Sequence, residues 1–114
     1  MTGRSQPAIL MCPPDHFGIE YEINPWMHRS IPSDRPRAIA QWTALTETLR
    51  SVGAELRMLD PLPGLPDLVF TANAGLIWHD VVFLARFRYA ARQGETPVNE
   101  AWFRQAGYEP VALP

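Results

Sequence analysis

The chain has 114 residues, a net charge of −2, and 19% charged against 46% hydrophobic residues. That length allows one small domain with a modest core, and the nearly balanced charge lacks the basic footprint of a nucleic-acid binder. No apolar run approaches the roughly 20 residues of a membrane helix, and no signal-peptide stretch follows Met1 to Pro7, so no membrane partner is expected and the expected location is the cytoplasm.

Taken in chain order, Ala8 to Cys12 is the first apolar strand. Pro13 to Ser33 follows as an irregular loop, long enough to suggest a functional, lid-like role. Ser33 or Asp34 caps a helix running to Val52, with Ile39, Trp42, Leu45, Leu49 and Val52 on one core-facing stripe and Gly53 as its stop. Glu55 to Leu59 reads as a strand, and the turns from Pro61 to Pro66 lead into a short buried strand, Leu68 to Thr71. Gly75 to Trp78 and Val81 to Phe87 form a hairpin about His79-Asp80. A second helix is expected from Pro97 to Ala106, ended by Gly107, before a last strand from Glu109 to Leu113. The 12 prolines sit at the joints between elements and form no linker. The whole is an α/β chain.

The informative stretch is Pro66 to Gly75. It places one acid, Asp67, and one amide, Asn73, about a short apolar run followed by small residues that let a ligand approach the backbone. A carboxylate in such a setting is costly unless paired, and the planar fork of a guanidinium matches it bidentately. The spacing alone equally allows Asp67 to cap a turn after Pro66. Cys12, the single cysteine, ends an apolar strand, where a thiol is inert; it excludes an internal disulfide framework. His16, His28 and His79 lack the spacing and partners of a metal site, and no phosphate loop or cofactor box occurs, so neither metal nor cofactor is expected.

Several segments together resemble one superfamily. Met11-Cys12-Pro13-Pro14, Ile23-Asn24-Pro25-Trp26-Met27, Asp67 with Phe70-Thr71-Ala72-Asn73-Ala74, and Arg86 to Glu95 are similar to the amidinotransferase and arginine deiminase superfamily, the penteins. The arginine dihydrolase branch is the most similar, with dimethylarginine dimethylaminohydrolases beside it. The resemblance implies an α/β-propeller of ββαβ modules around a central site, of which this chain carries about two as the amino-terminal part of a single domain over 1–114. It implies a guanidino-modifying hydrolase taking arginine to ornithine, ammonia and carbon dioxide through a cysteine-bound intermediate. The family's catalytic His and Cys fall beyond Pro114, so no catalytic residue is expected here and the chain alone should be inactive.

The same resemblance makes Asp67 the acid that holds the guanidinium, Phe70 the apolar wall beside it and Arg92 the clamp for the substrate's α-carboxylate. Residue by residue, alternatives remain open. Phe70 suits plain core equally well, Arg92 suits a solvated pair with Glu95, and Arg86 suits structural pairing better than substrate contact. Asn73 departs from the deiminase pattern, which has an acid there. An amide both donates and accepts, so Asn73, with Asn24 as the second amide, can serve a ureido oxygen as well as a guanidinium, unless each only satisfies a local turn or backbone group. A citrulline-like product then need not be rejected. Other readings are dimethylarginine hydrolysis, amidino transfer, or a non-catalytic binding module. A partial propeller leaves its central strands and a module edge uncovered, so association as a homo-oligomer or poor solubility is expected.

Overall fold

The structure, a computed structural model, describes residues 6–114; the start of the chain, read above for a leader, lies largely outside them. Its order is β1 (Ala8–Met11), α1 (Arg35–Ser51), β2 (Glu55–Met58), β3 (Gly75–Trp78), β4 (Val81–Leu84), α2 (Ala90–Gln93), α3 (Glu95–Gln105) and β5 (Glu109–Ala112). Two 3₁₀ turns, Pro66–Val69 and Thr71–Asn73, stand between β2 and β3. The chain is mixed α/β, with two small sheets among the described residues: parallel β1–β2, and β3–β4–β5, whose first pair is antiparallel and second parallel.

Local chemistry explains the element ends. Asp34 is the N-cap of α1, its Oδ1 accepting from the Arg37 amide at 3.0 Å, and Pro36 sits in the first turn, where no amide is missed. Gly53 after α1 and Gly107 after α3 have φ of +94° and +96°, the left-handed stop that glycine adopts without strain. The β3–β4 hairpin turns at His79, whose φ of 56° matches the handedness that tight hairpins need.

One α/β layer holds the two sheets together. Val82, Leu84, Ala74 and Phe103 form one buried cluster and Cys12, Leu59 and Leu68 another, with Leu10 and Trp102 packed against both. Full burial of a Val, Leu or Phe side chain stabilises by about 1.5–3 kcal/mol. Two polar ties reinforce the junction. Trp102 Nε1 donates to the Met58 carbonyl at 3.0 Å, fixing α3 to β2, and Thr71 Oγ1 donates to the Leu10 carbonyl at 2.7 Å, fixing the second 3₁₀ turn to β1.

Several expectations are corrected. Leu68 to Thr71 is not a strand: the amides of Leu68, Phe70, Asn73 and Ala74 each donate to the carbonyl three residues back, and no neighbouring strand pairs with the segment. A short apolar run does not distinguish a buried strand from buried turns, and Pro66 favours the latter. The α1 stripe is not core throughout, because beneath the helix lies only a two-stranded sheet. Trp42 and Leu49 are half-buried, Ile39, Leu45 and Val52 are exposed, and the one buried residue of α1 is Thr46. The second helical segment begins earlier than Pro97, at Ala90, and is broken at Gly94. Finally, β4 ends at Leu84, so Arg86 lies beyond the strand, exposed and without an ion pair among the described residues.

Candidate functional site

Asp67 sits in the first 3₁₀ turn with only 7% of its surface exposed. It does not act as a side-chain cap there; its carboxylate faces partners from distant segments. Tyr21, on the loop between β1 and α1, donates its hydroxyl to Asp67 Oδ2 at 2.5 Å, and Arg92 Nε stands 3.8 Å from the same oxygen. Asp67 Oδ1 accepts from none of the described residues, yet it is not sealed from solvent. One carboxylate oxygen is thus held from behind and the other is left open.

Asp67 lines a cavity of about 220 Å³ together with Phe17, Gly18, Ile19, Asn24, Met27 and Phe70. Three expected site residues, Asn24, Asp67 and Phe70, therefore meet in one recess. Phe70 is half-exposed and meets Phe17 edge-to-face with ring centroids 5.9 Å apart, so it is a wall and not buried core. Asn24 Oδ1 accepts from the Trp26 amide at 2.9 Å, shaping the turn about Pro25, while its amide hydrogens have no partner among the described residues. The recess is mostly apolar with a single acid, which suits a cation carried on an apolar stem. A second recess of about 160 Å³, behind Phe17 and Phe70, is lined besides by Pro14, Ala38, Gln41, Trp42 and Val69; with no charged group, it does not suit a cation.

Neither Asn73 nor Arg92 lines this cavity; Asn73 lines a different recess, of about 380 Å³, with Leu76, Phe83 and Leu113, and among the described residues is tied to Asp67 only through Arg92. Arg92 is a hub. Its Nε and Nη2 hold the two oxygens of Glu95 at 2.8 and 3.0 Å, Nη2 also donates to the Asp67 carbonyl at 3.3 Å, and Nη1 donates to Asn73 Oδ1 at 3.2 Å. The guanidinium also stacks 4.4 Å from the centroid of the Phe87 ring. The expected Glu95 pairing is present, though not as a solvated pair, since the two side chains are 13% and 3% exposed. Of the five N–H donors of an arginine, this arrangement leaves one, on Nη1, without a protein partner. A bidentate clamp on a second carboxylate is therefore not available in it; a single contact is.

Electrostatics follow from this burial. Desolvation lowers the Arg92 pKa, but the hydrogen bonds and charge of Glu95, with the charge of Asp67, outweigh it and leave the guanidinium more firmly protonated than usual. The Tyr21 phenol is pushed above its ordinary range, first by burial and then by its bond to Asp67, so it remains a donor. Burial, aided by the charges of Asp15, Asp60 and Glu95, pushes the Cys12 thiol up to about 11, and its surface is 1% exposed. Such a thiol is no nucleophile at neutral pH. Among the described residues no three His, Cys, Asp or Glu side chains are grouped to hold a metal ion. Likewise, no helix is long and apolar enough to cross a membrane.

Tyr21 is the participant that sequence reasoning missed. Its partner is 46 residues away, and a tyrosine between Glu20 and Glu22 carries no local signal of pairing. The contribution of Glu95 was visible as an i, i+3 spacing to Arg92, but its burial was not.

Comparison with known proteins gives a consistent picture. No family model matches the chain. It is 47% identical over 107 residues to the bifunctional arginine dihydrolase/ornithine cyclodeaminase ArgZ of Synechocystis sp., covering 93% of this chain. It is 48% identical over 115 residues to the bifunctional enzyme AgrE of Nostoc sp., covering all of it. It is also 44% identical over 101 residues, 89% of the chain, to N(G),N(G)-dimethylarginine dimethylaminohydrolase of Mycobacterium tuberculosis. The chain spans 15%, 16% and 33% of the length of these three relatives.

Solved structures agree. A mutant AgrE in binary complex with L-arginine superposes with a TM-score of 0.89 at 46% identity, covering 96% of this chain and 16% of that one. The N-terminal domain of ArgZ bound to product gives 0.88 at 43% identity, covering 96% and 40%. A dimethylarginine dimethylaminohydrolase adduct, at 19% identity and a TM-score of 0.71 over 96% of this chain and 42% of that one, shares the fold. The chain is therefore homologous to the amino-terminal portion of arginine dihydrolases and of dimethylarginine dimethylaminohydrolase, enzymes of the pentein superfamily.

Proposed function

We propose that this chain is the amino-terminal part of a single pentein domain, about two ββαβ modules of an α/β-propeller, in a cytoplasmic arginine dihydrolase. The reaction takes arginine and two waters to ornithine, two ammonia and carbon dioxide. The observation that carries the reading is the meeting of Asp67, Asn24 and Phe70 in one recess, in a chain nearly half identical to arginine dihydrolases. The volume of about 220 Å³ falls below the roughly 300–1,000 Å³ of complete small-molecule sites and suits one end of a substrate.

In this reading Asp67 Oδ1 receives the guanidinium and Phe70 and Met27 wall its stem. A cysteine thiolate from outside these 114 residues attacks the guanidinium carbon; a histidine, also from outside, protonates the departing ammonia and then activates water on the cysteine-bound intermediate. This part supplies orientation. Asn73 and Asn24 serve the ureido oxygen of the first product by donation, so that it is retained and hydrolysed again. Arg92 fixes Asp67 and Asn73 to one another and offers its remaining N–H to the substrate carboxylate. A second reading, hydrolysis of dimethylarginine, is favoured by the 44% identity to the mycobacterial enzyme; it differs in stopping at citrulline.

The test has two arms. Full-length enzyme supplied with arginine releases ornithine and ammonia, whereas residues 1–114 alone release no ammonia above a buffer blank. Absence of both products from the full-length enzyme overturns the reading, as does turnover by the short chain that Cys12→Ser abolishes.

A further inference from the structure

We infer that Tyr21 is a positioning residue: its hydroxyl aims the Asp67 carboxylate and fastens the loop that carries Asn24 over the cavity. This rests on the guanidino reading above and adds to it a residue that meets no substrate. Tyr21 is half-buried while its neighbours Glu20 and Glu22 are exposed, so the ring is turned inward between two solvated side chains. Its hydroxyl reaches Asp67 Oδ2 at 2.5 Å. Side-chain ties elsewhere in the loop lie at the surface, among them Arg29 to Glu22 at 3.5 Å and Arg35 to the Phe17 carbonyl at 3.4 Å. A second anchor beside the cavity is the edge-to-face contact of Phe17 with Phe70. Residues of both anchors, Phe17, Phe70 and Asp67, line the same cavity as Asn24. The recess is thus roofed by a loop pinned on either side.

The bond also decides which carboxylate oxygen is offered. With Oδ2 held by the hydroxyl, rotation of the carboxylate is stopped and Oδ1, which accepts from no described residue, is the one presented. Arg92 Nε waits 3.8 Å from Oδ2. Without the hydroxyl, the carboxylate is free to close the 3.8 Å gap to the Arg92 guanidinium, whose charge then competes with that of the substrate although its Nε–H is already held by Glu95. Tyr21 therefore keeps Asp67 from being spent on Arg92, and holds Asn24 in reach of the same ligand.

The experiment is arginine kinetics on full-length Tyr21→Phe, with backbone hydrogen exchange of residues 18–27 in wild type, Tyr21→Phe, Asp67→Ala and the double variant. A lost hydrogen bond to a charged group implies a rise in KM of roughly tenfold to a hundredfold, with kcat held within about threefold. Loop protection falls in both single variants and no further in the double, because each removes the same bond. A KM within about twofold of wild type overturns the aiming role, and unchanged exchange in Tyr21→Phe overturns the fastening role. A fall in kcat and thermal stability with KM unmoved shows a merely structural tyrosine. If the wild-type enzyme ignores arginine, the guanidino reading fails, and the exchange comparison still decides whether Tyr21 pins the loop through Asp67.

Discussion

Arg92 and Asp67, 25 residues apart, meet twice: Nη2 donates to the Asp67 carbonyl at 3.3 Å, and Nε lies 3.8 Å from carboxylate Oδ2. The arginine grips the backbone of the acid more closely than its charge. Glu95 takes the strong bidentate bonds, and this division leaves Asp67 buried and only partly neutralised, so that its carboxylate keeps charge for a further cation.

Asp67→Asn in the full-length enzyme removes that charge at nearly constant shape. The amide oxygen can still accept from Tyr21, so thermal unfolding should change little. An incoming guanidinium loses its charge partner, worth several kcal/mol in a buried site, and kcat/KM should fall by roughly a hundredfold or more. Normal kinetics in this variant would remove the central residue of the proposed site.

Asn73→Asp keeps the acceptor that Arg92 Nη1 now uses at 3.2 Å, so the fold should tolerate it. What disappears is the donor. An ionised carboxylate cannot donate to a ureido oxygen, and citrulline should accumulate where ornithine was the product. Product analysis by chromatography decides it: ornithine alone at an unchanged rate contradicts the two-amide argument.

Breaking the Arg92–Glu95 pair should be costly in another way. Arg92→Met strands Glu95, 2% exposed, as an uncompensated buried charge, with an expected loss of about 3–5 kcal/mol. For a chain of this size that lowers Tm by more than about 10 °C. Adding Glu95→Gln should recover much of the loss. A single variant that unfolds within a few degrees of wild type shows that the pair is not buried in solution.

Cys12 gives a pH signature. Its folded pKa is raised from 9.0 to about 11, so between those values the unfolded chain releases a proton that the folded chain keeps. By linkage, stability is fully present below pH 9.0 and falls as pH rises toward 11, by an order of 1–3 kcal/mol. Urea unfolding at pH 8 and pH 10.5 should show this decline reduced in Cys12→Ala. In the folded chain at pH 8 the thiol should resist alkylation until denaturant is added.

What could be read from the residues follows how local each signal is. Helix α1 announces itself through Asp34, Pro36 and Gly53, and the hairpin through His79-Asp80, because a cap or a turn is written within a few positions. The run Leu68 to Thr71 reads as a strand but spans the junction of two 3₁₀ turns, because four residues do not distinguish those shapes; only the missing sheet partner does. The apolar stripe of α1 reads as core because its period is helical, yet burial depends on what lies opposite, and β1–β2 offers two strands only. In the site, Asp67 and Arg92 stood out by residue type, while Tyr21 depends on a loop returning across the chain.

The pairing of β1 with β2 bears on the order of folding. Ala8 finds Glu55 only after the whole loop and α1 have been enclosed, a closure that carries an entropic penalty, whereas Trp78 finds Val81 across two residues in about 1–10 μs. The nucleus is expected in the hairpin and the α3 crossover to β5, with β1 arriving last and the Tyr21 loop settling onto a surface already made. Val82→Ala should then slow refolding, while Met11→Ala should chiefly hasten unfolding, a contrast that the two arms of a denaturant chevron read directly. The recess would thus be the last feature to form and the first to open.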